Sequence, residues 1–148
     1  MKQSIYWTIM LAAFIAATGC DKDEPKYDPD APLYAQPLPV IKKAIEGKWK
    51  VYSTMGGVVG LQYHNEVYKT FYDNKHILEN YDENIFSTTY YVWKKKNIDI
   101  LGCKTYVMCS EYIVEGWEHY FYSLKNDTLI SNSSNGEVQI IYIKPKEQ

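Results

Sequence analysis

Three histidines are the side chains best suited to acid–base or metal chemistry in this sequence, and their spacing favours neither. His64, His76 and His119 are far apart, and no His-x-x-x-His or His-Glu-x-x-His pattern places two of them on one face of a helix. A metal site formed by histidines from three separate strands remains an alternative. The spacing favours isolated histidines at turns and strand edges, and we expect no metal ion.

Other familiar catalytic patterns are absent from the sequence. It contains no Gly-x-Ser-x-Gly nucleophile elbow, no phosphate-binding loop and no dinucleotide fingerprint. The carboxylate pairs Asp82–Glu83 and Glu111–Glu115 have the spacing of turn and surface charges rather than of two acids facing each other across a cleft. We expect that the protein is not an enzyme and carries no cofactor.

Cys20 directly follows a segment with the layout of a secretory signal. Residues 1–19 carry one charge, Lys2, then an apolar run over residues 5–17 and a small-residue ending. This run is well short of the roughly 20 residues that cross a bilayer as a helix. The ending resembles the lipobox of bacterial lipoproteins, which implies cleavage before Cys20, acylation of its thiol and a membrane anchor. An ordinary signal peptide with an incidental cysteine is the alternative.

The residues behind Cys20 are charged. Lys22, Asp23 and Glu24 resemble the export signal of Bacteroidetes lipoproteins, a lysine followed by two acidic residues. The resemblance implies a lipid-anchored protein of the outer membrane, displayed at the cell surface. The alternative is a solvated linker on a lipoprotein that faces the periplasm.

A proline-rich segment separates the signal from the rest of the chain. Five prolines lie between residues 25 and 39, among charges and few apolar side chains. Such a composition favours extended chain and cannot bury a core. We therefore expect residues 20–37 to form a flexible tether, followed by a single domain over residues 38–148.

The composition of this domain indicates β-sheet and excludes one class of partner. Tyr, Trp, Val and Ile are frequent, and these side chains suit a pleated surface. Every basic residue is lysine and the net charge is −2, so neither guanidinium groups nor a positive field would attract nucleic acid. Leu38 to Glu46 has the pattern of one short helix, which Gly47 stops.

After Gly47 the apolar pattern changes to a period of two. Turn signals separate the alternating runs, and Asn135-Gly136 predicts a two-residue hairpin connection. Eight or nine short strands predict an all-β domain, a small antiparallel β-barrel of about eight strands preceded by a short helix and the tether. The alternating runs cover residues 49–54, 67–72, 88–94, 104–114, 117–124, 129–131 and 138–143.

The entry to the first predicted strand resembles that of lipocalins. Gly47 and Trp49 match the Gly-x-Trp motif that opens the barrel in lipocalins and in lipocalin-like lipoproteins of Bacteroidetes, and residues 70–74 and 122–129 resemble later segments of those proteins. The resemblance covers residues 38–144 and implies a barrel whose floor is closed by Trp49. The domain is short for a lipocalin, which leaves room for a packed barrel without a cavity.

Two functions fit a barrel of this kind. A binding lipoprotein would hold a small hydrophobic or glycan ligand, and an interior site requires a void of roughly 300 Å³ or more. A surface interaction protein, such as an accessory subunit or inhibitor, would have a filled barrel and an exposed apolar patch. The sequence fixes neither the ligand nor the oligomeric state. The aromatic side chains that could line either surface are Tyr90, Tyr91, Trp93, Tyr106, Tyr112, Tyr120 and Tyr122.

Cys103 and Cys109 invite a disulfide, but the residues between them argue against it. The intervening run contains no Gly, Pro or Asn and is strongly β-forming. In an extended strand the two Cα atoms would lie about 20 Å apart, whereas a bridge requires less than roughly 7 Å. We predict two separate thiols on the same, inward face of one strand.

One further motif lies at a predicted turn. Asp127-Thr128-Leu129 resembles the tripeptide at which Bacteroidetes O-glycosylate exported proteins, and this implies a glycan on Thr128. A turn would leave the hydroxyl accessible. The alternative is a threonine that simply opens a strand.

Overall fold

The computed structural model describes residues 25–73, 75–80, 85–111 and 118–146, and in them the chain forms one α-helix and nine β-strands. None of the described helices is long and apolar enough to cross a membrane. Cys20, Lys22, Asp23 and Glu24 lie outside the described residues, so lipidation and export remain predictions. The elements are α1 Leu38–Ile45, β1 Gly47–Gly56, β2 Gly60–Tyr63, β3 Val67–Tyr72, β4 Lys75–Asn80, β5 Ile85–Ile98, β6 Cys103–Ser110, β7 Glu118–Lys125, β8 Thr128–Ser133 and β9 Val138–Ile143.

Helix α1 forms where the sequence predicts it and leads into the barrel. Val40, Ile41 and Ile45 are buried on one side of the helix, as the apolar spacing requires. The helix ends before Gly47, whose φ of +105° turns the chain into β1. We call the end of the barrel where α1 joins β1 the lower end, and the opposite end the upper end.

Strands β1 and β3–β9 form a closed, eight-stranded antiparallel barrel, which confirms the predicted fold class. The strands follow one another in sequence order, and pairing of β1 with β9 closes the sheet. Strand β2 pairs with the upper half of β1, from Ser53 to Gly56, while β3 pairs with its lower half. Closure leaves the barrel strands paired on both sides, so a small domain avoids long open edges.

Trp49 lies at the centre of the lower end. Its side chain is fully buried, and its indole N–H donates to the carbonyl of Ile45 at 2.7 Å. The Lys144 ammonium lies 3.9 Å from the centroid of its ring. This hydrogen bond links the end of α1 to β1, and the Trp49 ring packs against the remaining core. The other buried members of this core are Leu33, Ile41, Ile45, Val51, Phe71, Tyr91, Met108, Phe121, Leu129, Ile140 and Tyr142.

The barrel is weakly paired at one seam, between β6 and β7. Among the described residues, only Met108 with His119 and Cys109 with Glu118 pair there, whereas eight residue pairs join β5 to β6. A 3-10 turn at Leu33–Ala35 packs against both strands of the seam. Leu33 is buried within the barrel core, and the Thr105 hydroxyl donates to the carbonyl of Tyr34 at 2.6 Å.

Gln36 holds the segment before the helix in place. Its side-chain amide donates to the carbonyls of Asp28 and Ala31, and its oxygen accepts from the Asp28 N–H. The expectation that the chain up to residue 37 takes no part in a core is therefore wrong for Leu33 and Gln36, both of which are buried. Composition reports how many apolar residues a segment contains. It cannot show that a single leucine packs between strands that lie far away in the sequence.

Two finer predictions about β6 and β9 are corrected. Cys103 and Cys109 are separate thiols on β6, but Cys109 packs with Val107 in a cluster on the outer face rather than inward. This outer face is buried because the two 3-10 turns at residues 33–35 and 99–101 cover it. The connection from β8 to β9 has four residues rather than two, because the Asn135 side chain accepts from the Ser133 hydroxyl and the Glu137 N–H.

Candidate functional site

Strand register places Lys69, His76 and His119 in the barrel interior. Lys69 pairs with Trp49, His76 with Phe71, and His119 with Met108. Directly paired residues point to the same face of a sheet, and these partners belong to the barrel core. The prediction of isolated histidines at turns and strand edges is therefore wrong for His76 and His119.

Aromatic rings surround the two interior histidines. The His76 ring stacks 6.2 Å from Tyr91 and meets the edge of Phe71 at 6.0 Å, while Trp93 lies 6.1 Å from Phe121. Two buried ring nitrogens, His76 Nδ1 and Trp93 Nε1, have no hydrogen-bond partner among the described residues. Ring packing therefore fills much of the described interior but leaves polar atoms unsatisfied within it, which is uncommon in folded proteins.

The interior keeps both imidazoles neutral. Burial lowers the pKa of His76 to about 3, with further contributions from the charges of Lys69 and His119. Burial likewise lowers the pKa of His119 to about 4, again with help from Lys69. The Lys69 ammonium lies 5.8 Å from the centroid of the Tyr142 ring. In the described ranges, no three His, Cys, Asp or Glu side chains converge as metal ligands.

A separate cleft of about 1240 Å³ lies at the lower end, between α1, residues 25–27 and the end of the barrel. Its apolar wall comes from Val40, Ala44, Ile45, Pro39, Phe71, Tyr91 and Leu124. Its charged lining comprises Lys26, Lys42, Lys43, Glu46 and Asp73. The cleft is partly open to solvent, so a molecule held there would keep one side in water.

Two tyrosines shape the walls of this cleft. The Tyr91 hydroxyl donates to the carbonyl of Asp73 at 3.1 Å, and burial raises the pKa of Tyr91 to about 12. The Tyr27 hydroxyl donates to the carbonyl of Leu124 at 3.2 Å and so fixes the N-terminal wall against the barrel. Both phenols already have acceptors, so their rings contribute flat apolar surface to the cleft rather than free donors.

An exposed apolar surface lies at the upper end, and we call it the hairpin patch. It is formed by β1, β2 and the glycine-rich turn between them, and the Tyr52 and Tyr63 rings meet edge to face at 5.6 Å. Val58 at the tip is fully exposed. The members of the patch are Tyr52, Met55, Val58, Leu61 and Tyr63.

The remaining predicted residues are spread over the molecule. Thr128 follows the β7–β8 turn, half-buried, and its hydroxyl donates to the carbonyl of Asn126 at 3.4 Å. Gly47 and Trp49 meet at the lower end. The aromatic candidates are divided among several environments. Tyr91, Trp93 and Tyr106 belong to the barrel core, and Tyr120 belongs to the outer cluster. Tyr90 and Tyr122 are exposed, and Tyr112 lies outside the described residues.

Comparison with protein-family models, with curated proteins and with solved structures finds no match to this chain. The lipocalin-like and lipoprotein relationships therefore stay resemblances of motif. Sequence reasoning missed the cleft and the interior cluster, because both are assembled from residues that are distant in the chain.

Proposed function

We propose that this protein is a lipid-anchored binding protein of the cell envelope that holds a small amphipathic molecule in the lower cleft. The supporting observation is the cleft itself, whose volume of about 1240 Å³ is large enough for a ligand of a few hundred daltons. The ring-packed interior makes a deep barrel cavity the less favoured site. We therefore place the ligand at the lower end of the barrel rather than in its lumen.

The lining of the cleft suits a molecule with an apolar body and a polar head. Val40, Ala44 and Ile45 face it from α1, and Phe71 and Leu124 from the barrel. Apolar area removed from water there contributes about 25 cal/mol per Å². The lysine and carboxylate groups at the rim would meet the polar head, and a sugar or a lipid headgroup has this chemistry.

The position of the cleft also fits a membrane anchor on Cys20. Residues 27–37 are held against the barrel, and only four residues separate Cys20 from Pro25 in the sequence. Five residues span at most about 18 Å. Acylated Cys20 would therefore keep the cleft, which Pro25 and Lys26 line, close to the bilayer surface and within reach of molecules that partition into it.

Native mass spectrometry of the protein purified from its host, before and after extraction with organic solvent, tests this proposal. We expect a retained small molecule that extraction removes. Ala44→Trp fills the cleft and should abolish retention, whereas Ala35→Trp, at an exposed position away from the lining, should not. Equal retention by both variants, or an empty wild-type protein, would contradict binding in the cleft. The mass of the N-terminal peptide reports acylation of Cys20 separately.

The hairpin patch favours a second candidate, a surface interaction protein. Contiguous exposed apolar side chains at a glycine-rich turn are typical of contact surfaces. If this candidate holds, Val58→Asp with Leu61→Asp should abolish co-purification of a partner that the wild-type protein retains, and leave small-molecule retention unchanged. Undiminished co-purification of the partner with this double variant would contradict the second candidate.

A further inference from the structure

We propose that the barrel interior contains a second site, which shares the Phe71 and Tyr91 rings with the lower cleft and binds a small oxyanion through Lys69, His76 and Trp93. The ligand chemistry is that of a carboxylate or phosphate group. The site lies on the inner faces of β3, β4 and β5, where no sequence motif pointed.

The first argument is the charge of Lys69. Lys69 is half-buried, its register partner Trp49 is fully buried, and the Lys69 ammonium lies 5.8 Å from the centroid of the Tyr142 ring. None of the described side chains gives it a carboxylate partner: Asp73 lies at the β3–β4 turn, and Glu118 forms an ion pair with Lys96 on the outer face. A cation held inside a protein is costly unless an anion accompanies it.

The second argument is the pair of unsatisfied nitrogens. His76 Nδ1 and Trp93 Nε1 are buried, and the part of the chain that the structure describes gives them no hydrogen-bond partner. An indole nitrogen can only donate, and a neutral imidazole can donate from Nδ1. Each buried group left without a partner costs about 1–3 kcal/mol. An oxyanion would accept from both nitrogens while its charge balances that of Lys69.

The third argument is that donors dominate this part of the interior. Both neighbouring imidazoles have pKa values lowered by burial and by the Lys69 charge, and no carboxylate of the described residues contributes to either shift. Around them lie the rings of Phe71, Phe121 and Tyr91. Neutral donors, one cation and an apolar surround favour a compact anion of charge −1 over a metal cation or a bulky ligand.

The indole N–H of Trp93 gives a direct test by nuclear magnetic resonance. The protein purified from its host in detergent, labelled with ¹⁵N-tryptophan, is titrated with sodium acetate or sodium phosphate, with sodium chloride as the reference salt. We expect a saturable downfield shift of the Trp93 indole signal, assigned with Trp93→Phe. The Trp49 indole signal should stay in place, because that group already donates to Ile45. The salt that saturates at lower concentration identifies the source of the oxyanion.

Matched lysine variants separate this site from general salt effects. Lys69→Met should weaken oxyanion binding at least tenfold, Lys69→Arg should retain most of it, and Lys94→Met on the exposed face of β5 should change nothing. A far-ultraviolet circular dichroism spectrum and a thermal midpoint like those of the wild-type protein show that the barrel is intact in Lys69→Met. Ala44→Trp should leave the titration unaffected, which distinguishes this site from the cleft. The proposal is overturned if neither acetate nor phosphate gives a saturable shift, or if Lys69→Met and Lys94→Met bind equally.

Discussion

At the level of single residues, surroundings rather than residue type decide behaviour. Nothing in the sequence distinguishes His76 and His119 from other histidines. Burial beside Lys69 nevertheless keeps both imidazoles neutral at pH values far below their usual pKa. Gly56 and Gly57 are adjacent glycines, yet only one lies against another strand. A Cβ on Gly56 would lie 1.8 Å from the carbonyl oxygen of Glu137, whereas one on Gly57 would meet nothing within 4 Å.

We predict that the protein loses stability as the pH falls from about 6.5 towards 4. In the unfolded chain His76 and His119 take up protons near pH 6.5. In the folded protein they take up protons only near their pKa values of about 3 and 4. The unfolded state is therefore favoured by up to about 1.4 kcal/mol per pH unit for each histidine. Denaturant unfolding at a series of pH values measures this slope. His76→Phe and His119→Phe should each flatten it; an unchanged slope in both variants would refute the assignment.

Gly56→Ala should be far more destabilising than Gly57→Ala. Both positions have positive φ, at +125° and +62°, so both variants carry backbone strain of about 1 kcal/mol. Only Gly56→Ala adds a clash with the backbone of Glu137, which raises the expected cost to roughly 3 kcal/mol or more. Urea unfolding of the two variants gives the comparison. Similar midpoints would mean that β1 and β9 do not approach this closely.

At the level of elements, the segment before α1 belongs to the barrel. Leu33 enters the core, Tyr34 packs 5.5 Å from Tyr122 on the outer face, and Gln36 fixes the loop behind them. One 3-10 turn therefore closes the seam between β6 and β7 from both sides of the sheet. The segment also matters for function, because its first residues, 25–27, form one wall of the lower cleft.

Leu33→Ala should destabilise the domain by about 2–4 kcal/mol, the usual cost of emptying a buried leucine site. The matched control is Leu61→Ala, where the side chain is about half exposed and the expected cost is under roughly 0.5 kcal/mol. Thermal unfolding of both variants measures the difference. A negligible effect of Leu33→Ala would restore the view of this segment as a free tether.

At the level of the whole molecule, closure through β1 and β9 contrasts with the weak seam between β6 and β7. Six residue pairs join β1 to β9, whereas in the described part of the chain two join β6 to β7. The barrel therefore has one place where few backbone hydrogen bonds resist opening. That place is covered by residues 33–35 rather than by strand pairing.

Hydrogen exchange should reveal the seam as the first part of the barrel to open. We expect the amides of β6 that face β7 to exchange at least tenfold faster than those of β8 and β9, because protection there depends on the 3-10 turn. Thr105→Val removes the hydroxyl that holds the Tyr34 carbonyl and should accelerate this exchange further. Uniform protection around the barrel would contradict a weak seam.

The sequence by itself determined the class of fold and the local elements. Alternation with a period of two needs only neighbouring residues, so the short helix at residues 38–46 and the strand at Val67–Tyr72 were predicted correctly, as was the closed barrel. Tertiary structure alone decided which side chains meet. The burial of Leu33, the outward position of Cys109 and the clustering of Lys69 with His76 depend on register and closure, which join residues that are distant in the chain. A periodic pattern carries no information about these long-range pairings, and for that physical reason the candidate sites emerged only from the fold.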